Sequence, residues 1–391
     1  MTTPDLLRIG DIDLVMLELT TRCNLRCTYC YYGRDNSHTN LDLGDDLIEP
    51  IAASLRALRV RRLGANGAGE TTVHPRWHQY CRRFIDAGMS VHLITNFAKR
   101  FSTEELDVLS RLEFIQVSCD TSDSELFARL RRGADLQRLI DTRGAVRAHA
   151  RNQGRQPPPF SWSCVVTDWS VKGLADFVKL GLLLQVRNYN FNDLAEFDGR
   201  AALDLQAPRR IVALDKSGLV EAARSIKAAI ALLEEARADY NFHARLWESL
   251  IERIDRMAES GGVEAPAYAE PVQQPAGCTR QCLDPWRMLF IKANGDVLPC
   301  CARAAVGSLN AGASLEDIAN CENIRALRGE LLSGAVSEIC RNCHVYPWVP
   351  VEVFRQQVAG FVDSSGSVFD GRRPDVHVEA VSPVPESSDG V

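Results

Sequence analysis

Three cysteines, Cys23, Cys27 and Cys30, stand within eight residues of one another in the run Glu18-Leu-Thr-Thr-Arg-Cys23-Asn-Leu-Arg-Cys27-Thr-Tyr-Cys30. Thiolates at this spacing can each take one iron of a cubic [4Fe–4S] cluster, which leaves the fourth iron open to a small molecule. Structural zinc usually takes four protein ligands, so a zinc loop here would need a distant partner such as His38 or His74. A second group lies far downstream. Cys282, Cys300 and the tight turn Cys340-Arg-Asn-Cys343 together offer four thiolates, a complete shell for either an iron–sulfur cluster or zinc. Cys278 is an alternative first ligand in that set.

The remainder of the chain narrows the setting. Its 391 residues include thirteen cysteines, and neither a signal-peptide start nor an apolar run of the ~18–20 residues needed to span a membrane is present. A cytoplasmic, reducing location is therefore expected, where cysteines serve metals or catalysis more often than disulfides. The net charge of −6 gives no electrostatic reason to expect a nucleic acid or an anionic membrane as partner. The pairs Arg61-Arg62 and Arg131-Arg132 read as solvated helix faces.

Short apolar runs alternate with amphipathic stretches over residues 12–195. Strands are predicted at 14–19, 62–64, 91–95, 114–118, 160–167 and 186–191. Helices are predicted at 43–58, 75–87, 103–109, 136–150 and 171–180, with a short turn at 123–132. Strands joined by helices of this length pair in parallel through right-handed crossovers. The fold class is thus α/β, as an open doubly wound sheet or a partial barrel. Residues 196–261 carry no strand signal and read as a helical connection, with helices at 219–235 and 244–257. Residues 262–277 read as a linker, 278–361 as a compact cysteine-bearing module, and 362–391 as a disordered tail. Inside the module, Asn294-Gly295 between two alternating apolar runs signals a hairpin flanked by Cys282 and Cys300, followed by a helix over 315–332.

The triad follows directly on the first strand, at the edge where βα architectures place their active sites. Cys-x3-Cys-x2-Cys with Tyr29 before the last cysteine resembles the signature of the radical S-adenosylmethionine (SAM) superfamily. That resemblance implies a partial (β/α)6 TIM-like barrel, a SAM-binding [4Fe–4S] cluster on Cys23, Cys27 and Cys30, and a 5′-deoxyadenosyl radical that takes hydrogen from an unactivated C–H bond. Gly67-Ala68-Gly69-Glu70 resembles the family's Gly-Gly-Glu motif, with Ala68 in place of the first motif glycine. By the same resemblance Tyr29, Gly69, Glu70, Asn96 and Ser118 are expected at the cofactor. The downstream cysteines resemble a twitch domain, a truncated SPASM domain, which implies one auxiliary [4Fe–4S] cluster on Cys282, Cys300, Cys340 and Cys343.

Relatives with a twitch domain are similar to epimerases and dehydrogenases of sugars and aminocyclitols in antibiotic biosynthesis. The short segment before the first strand and the single auxiliary cluster favour a small saccharide-containing substrate over a peptide, with an external one-electron reductant such as flavodoxin or ferredoxin. Loss of a proton and an electron from the substrate radical would give a ketone; return of hydrogen by a thiol would give the epimer. The thiols outside the two ligand sets are Cys81, Cys119, Cys164, Cys278, Cys301 and Cys321. Cys164 and Cys301 are the donor candidates. Cys81 and Cys119 are expected in the core, Cys119 because alternation turns it away from Ser118 and Asp120. The polar run at the sixth strand, Arg187, Asn188, Tyr189, Asn190, Asn192 and Asp193, could bind saccharide hydroxyls, with an ordinary polar strand end as the default.

Overall fold

A computed structural model of the chain describes residues 6–7, 12–30, 40–194, 207–242, 273–343 and 345–363. Six strands expected from apolar runs form, as β1 (Leu14–Leu17), β3 (Arg62–Ala65), β4 (Ser90–Thr95), β5 (Phe114–Ser118), β7 (Phe160–Val166) and β8 (Asn188–Asp193). Two short strands interrupt that series: β2 (Arg26–Cys27) and β6 (Arg131–Arg132), which pair with each other. A seventh barrel strand, β9 (Asp239–Phe242), pairs in parallel with β8. No strand was expected there, because Asp-Tyr-Asn-Phe is short and half polar and pairs along one edge only. Helices Asp45–Ala57, Trp77–Asp86, Thr103–Leu109, Leu136–Asn152, Leu174–Leu183 and Lys216–Glu235 follow β1, β3, β4, β5, β7 and β8 respectively. This is a partial (β/α)6 barrel extended at one edge by β9. The predicted helix 244–257, the linker up to 272 and the tail from 364 lie outside the described residues.

The C-terminal module is joined to the barrel by backbone pairing. Its strands are β10 (Cys278–Arg280), β11 (Met288–Ile291), β12 (Asp296–Leu298), β13 (Gly307–Ser308) and β14 (Trp348–Pro350). β11 lies parallel to β1, with Met288 opposite Leu14 and Ile291 opposite Leu17. A single ten-stranded sheet results, in the order β13-β12-β11-β1-β3-β4-β5-β7-β8-β9. β11 and β12 form the expected hairpin, and Gly295 supplies the left-handed turn at φ 80°, a conformation open to glycine. The predicted helix 315–332 is two helices, Leu315–Ala319 and Glu322–Ser333. The break turns the Ala319 carbonyl toward the fully buried Arg328, which also donates to Leu7 O and Pro285 O. That guanidinium satisfies its donors with carbonyls and so crosses the module core without a carboxylate partner. A final helix, Val351–Asp363, packs Phe354 edge-on against Trp286.

Side-chain alternation sorts the barrel strands into two faces. Ile115 and Val117 of β5, Trp162 and Val166 of β7, and Tyr189 and Phe191 of β8 are buried toward the helices. Trp162 marks that side, its ring 4.9 Å from Phe177 of the helix Leu174–Leu183. Gln116, Ser118, Ser163, Asn190 and Asn192 have the opposite parity and stand half-buried on the inner face. Among the described residues no helix is long and apolar enough to cross a membrane.

The basic pairs are not solvated helix faces. Arg62 opens β3 and donates to the buried Asp13, with Arg61 3.7 Å from the same carboxylate, and Arg131 is buried in the β2–β6 pair. Lower in the barrel His92 stacks on Phe114 with ring centroids 4.6 Å apart. Burial first, and then the nearby Arg62, lower its pKa to about 4. The unfolded chain therefore binds a proton at His92 near pH 6.5 while the folded chain resists it. Stability is fully present above pH 6.5 and falls as pH drops from 6.5 to about 4, by up to about 3 kcal/mol for a shift of this size. Urea titrations across that window are expected to show the decline in the parent and a flatter profile in His92→Phe; equal slopes in both would assign it elsewhere.

Candidate active site

The cysteine loop leaves the C-terminal end of β1 and is tied to Leu130 and to β6. Cys27 lies in β2 opposite Arg131 of β6. Thr28 donates to Leu130 O through both its amide, at 2.9 Å, and its hydroxyl, at 3.1 Å. The Leu25 amide donates to Cys23 Sγ at 3.4 Å and the Cys30 amide to Cys27 O at 3.2 Å. Burial pushes the Cys27 thiol up to about 12; Arg131 opposes that, while Asp120, Cys30 and Cys23 add to it. Cys23 is pushed up to about 11 by burial, against the Leu25 amide and with added repulsion from Glu70 and Cys30. The three sulfurs thus share one field in which three bare thiolates would be unfavourable. A cationic metal group reverses that balance, because ligating thiols are held deprotonated. The donor set fits an iron–sulfur cluster with one iron left to a further ligand. His74 does not complete a zinc shell: its Nδ1 accepts the Arg76 amide at 3.1 Å and its ring packs 5.2 Å from Tyr80. His38 lies outside the described residues.

Tyr29 reaches inward from this loop, and its hydroxyl donates to Asp120 Oδ2 at 2.6 Å. Arg131 donates to the same carboxylate through Nε at 2.7 Å and Nη2 at 2.9 Å, and the Val165 amide donates to Oδ1 at 3.0 Å. Asp120 is fully buried and joins the cysteine loop, β6 and β7 at one point. Its place on the inner face follows from alternation with Ser118. The partnership with Arg131 does not, because a turn and the helix Ser124–Leu130 lie between them.

The motif Gly67–Glu70 lies against the cysteine loop. A Cβ on Gly69 would stand 2.4 Å from Arg22 O and 2.5 Å from Thr20 O; both are backbone atoms, so only glycine permits the approach. The Glu70 amide donates to Arg22 O at 2.8 Å and the Ala68 amide to Glu18 Oε2 at 2.6 Å. Glu70 is buried and well supplied with donors: Oε1 accepts from Thr72 N, Thr72 Oγ1 and Thr95 Oγ1, and Oε2 accepts from Asn96 N at 2.8 Å. Each carboxylate oxygen offers about two acceptor positions, so the capacity left for an ammonium group is at Oε2, which accepts one donor. Asn96 is occupied as a brace, donating to Asn24 Oδ1 at 2.9 Å and accepting the Ala98 amide at 2.8 Å.

Glu18 is a bracing residue that sequence patterning does not single out. It is buried and accepts from Lys292 Nζ at 2.6 Å and from the Ala293 amide at 3.2 Å, besides Ala68. One carboxylate therefore links the SAM-type motif to the β11–β12 turn. Its only sequence signal was an acid at the end of an apolar strand.

Across the inner face, Ser118, Ser163, Asn190 and Asn241 are register neighbours on β5, β7, β8 and β9. Asn192 Nδ2 donates to Ser163 Oγ at 3.0 Å, and Ser161 Oγ is buried with no protein partner. Of the polar run at β8, the alternate asparagines Asn190 and Asn192 face inward. Tyr189 is buried beside Trp162 and Phe177, Asp193 pairs with Arg210, and Arg187 donates to Ala236 O. Cys164 shares the parity of Trp162 and is fully buried, its thiol donating to Asp120 O at 3.5 Å. It faces the helices, away from the inner face, and is withdrawn as a hydrogen donor; its parity was not readable from Trp162 and Ser163 alone. Cys81 and Cys119 are core residues as expected, and Cys321 occupies a helix N-cap position.

In the module, burial raises the Cys282 thiol, with Asp284, Cys343 and Cys300 adding repulsion. Cys301 is exposed and lies within reach of Asp284 and Cys343. Cys340 and Cys343 form a turn closed by the Cys343 amide on Cys340 O at 3.2 Å. Arg280 braces that turn, donating to Cys340 O at 3.2 Å and Tyr346 O at 2.8 Å, with its guanidinium 3.9 Å from the Trp348 ring centroid. Cys278 sits instead in β10, opposite Pro350. Cys300 and Cys343 thus bear electrostatically on Cys282, and Cys340 opens the turn that ends at Cys343, whereas Cys278 is held in β10.

Comparison with known proteins matches two segments of the chain. The radical SAM superfamily model matches residues 17–151, and the SPASM iron-sulfur cluster-binding domain matches residues 282–344. Two GTP 3′,8-cyclases are similar to about a third of the chain. That of Lactiplantibacillus plantarum is 29% identical over 139 residues, 33% of this chain and 40% of that one. That of Paracoccus denitrificans is 31% identical over 144 residues, 35% and 41% of the two chains. The similarity therefore spans about two fifths of those relatives. Streptococcus suis SuiB bound to S-adenosylmethionine superposes with a TM-score of 0.56 at 16% identity, over 82% of this chain and 68% of that one. Native anSMEcpe with bound AdoMet and a Cp18Cys peptide gives 0.53 at 17% identity, over 85% and 87%. These likenesses establish the fold. With the cysteine triad, the glycine-containing acidic motif and the second thiol group, the family matches lead to one assignment: the chain carries a radical SAM domain, which implies SAM and a [4Fe–4S] cluster as cofactors, and a SPASM iron–sulfur cluster-binding domain.

Proposed function

We propose that this enzyme removes a carbinol hydrogen atom from a saccharide moiety and inverts that centre, with Cys301 returning hydrogen to the opposite face. The bound cluster and SAM supply a 5′-deoxyadenosyl radical able to break an unactivated C–H bond. The observation that carries the substrate class is the uncharged polar row on the inner face, Ser118, Ser163, Asn190 and Asn241. Hydroxyl and amide side chains both donate and accept, which suits a ligand rich in hydroxyl groups and gives no charge to pair with an ionic one. Cys23, Cys27 and Cys30 are the proposed ligands of the SAM cluster, and Cys282, Cys300, Cys340 and Cys343 those of one auxiliary cluster. In the inversion, the hydrogen removed leaves in 5′-deoxyadenosine and the Cys301 S–H bond supplies the replacement. One electron from an external reductant and one proton from water then restore the thiol. Dehydrogenation to a ketone is a second reading, favoured by the cationic Arg303 beside Cys340 Sγ.

Turnover of candidate glycosides in deuterated water separates these readings. Solvent deuterium at an inverted carbon, abolished by Cys301→Ala while 5′-deoxyadenosine still forms, is the expected result. Unchanged inversion in that variant would exclude Cys301. A ketone would select dehydrogenation, and turnover confined to peptides, such as those bound by SuiB and anSMEcpe, would reject the saccharide reading.

A further inference from the structure

Arg303, two residues beyond Cys301, donates through Nη2 to Cys340 Sγ at 3.1 Å. The same nitrogen reaches Glu330 Oε2 at 2.8 Å and Ser337 Oγ, and the side chain is only 18% exposed. Its Nε is buried with no protein partner. Glu330 comes from the helix Glu322–Ser333 and Ser337 precedes the short helix Glu338–Arg341 that carries Cys340. The guanidinium is therefore clamped between two elements and aimed at one sulfur.

An arginine stays protonated under all ordinary conditions. A charged hydrogen bond to a ligand sulfur favours the form of a cluster with more negative charge, and hydrogen bonds to the sulfurs are among the established determinants of cluster potential. We infer that Arg303 is a positioning residue that holds the Cys340 sulfur and raises the reduction potential of the auxiliary cluster, making that cluster a better electron acceptor. The inference rests on the reading of Cys340 as a cluster ligand. Glu330 offsets part of the charge, so a moderate effect is expected, about tenfold in the equilibrium constant for one-electron reduction, or ~59 mV.

The test uses the full-length chain with Cys23, Cys27 and Cys30 replaced by alanine, so that the auxiliary cluster gives the only signal in a redox titration followed by electron paramagnetic resonance. Arg303→Gln is expected to keep about four irons and to lower the midpoint by the tenfold factor, with Arg303→Lys recovering part of it. An unchanged midpoint with iron retained would overturn the inference. If Arg303→Gln loses iron, Glu330→Gln provides the second measurement: removing the offsetting charge should raise the midpoint, and no rise overturns the proposal. Absence of iron from the triple-alanine chain with Arg303 intact would instead sink the auxiliary-cluster reading on which the inference rests.

Discussion

Cys27→Ala is expected to lower the iron content of the reconstituted protein by about four per chain and to abolish SAM-dependent release of 5′-deoxyadenosine. The substitution removes one sulfur and little else. Cys27 is held in β2 by main-chain pairing with β6, and an alanine keeps that pairing. Thermal unfolding of the metal-free protein should therefore move little, which separates loss of the cluster from loss of the fold. Because burial raises the Cys27 thiol and Cys30 and Cys23 add repulsion there, removing it also relieves repulsion in the metal-free state. 5′-Deoxyadenosine formation at the parent rate, or stoichiometric zinc in place of iron after anaerobic reconstitution, would reject the assignment of Cys27 as a ligand.

The second large effect is expected at Asp120. Its carboxylate meets Tyr29, both donor nitrogens of Arg131 and the Val165 amide, and it is fully buried. Asp120→Ala leaves the buried Arg131 charge without its partner, a change that typically costs 3–5 kcal/mol. The denaturant midpoint should fall accordingly. Arg131→Met should cost less, because Tyr29 and Val165 continue to donate to the remaining carboxylate. In a double-mutant cycle the pair should show strong coupling, since both single changes disrupt one contact. The hub also fixes Tyr29 two residues beyond Cys27, so Asp120→Asn, which retains an acceptor but loses the charge, should weaken SAM binding while the chain stays folded. Additive stability losses in the cycle would refute the hub.

The barrel was legible in the sequence because its signals are local. Apolar runs of strand length alternate with amphipathic helices, and β5 and the helix Thr103–Leu109 fall at the expected residues. Asn294-Gly295 marked its hairpin for the same reason, since turn chemistry is written in adjacent residues. Cys119 was placed correctly by alternation from Ser118. Cys164 was not, because its strand presents Phe-Ser-Trp-Ser-Cys-Val-Val, where no clear polar alternation separates inside from outside; the contact of Trp162, of the same parity, with Phe177 places it. The strand β9 escaped notice because its stability comes from a neighbour and not from its own four residues.

The sequence by itself determined the chemistry class. Three cysteines at fixed spacing after a strand, an acidic glycine-containing motif and four further thiols are covalent facts, and metal-ligand chemistry depends on residue type and local spacing. Tertiary structure decided how these parts act together. It brought Arg131 out of an apparent surface pair into contact with Asp120, joined Glu18 to Lys292 across 274 residues, set β11 beside β1, and put Arg303 on Cys340. Each of these contacts depends on chain segments that meet only after folding. Charge pairing between distant residues leaves no periodicity to read, because its energy arises when burial removes water from both partners.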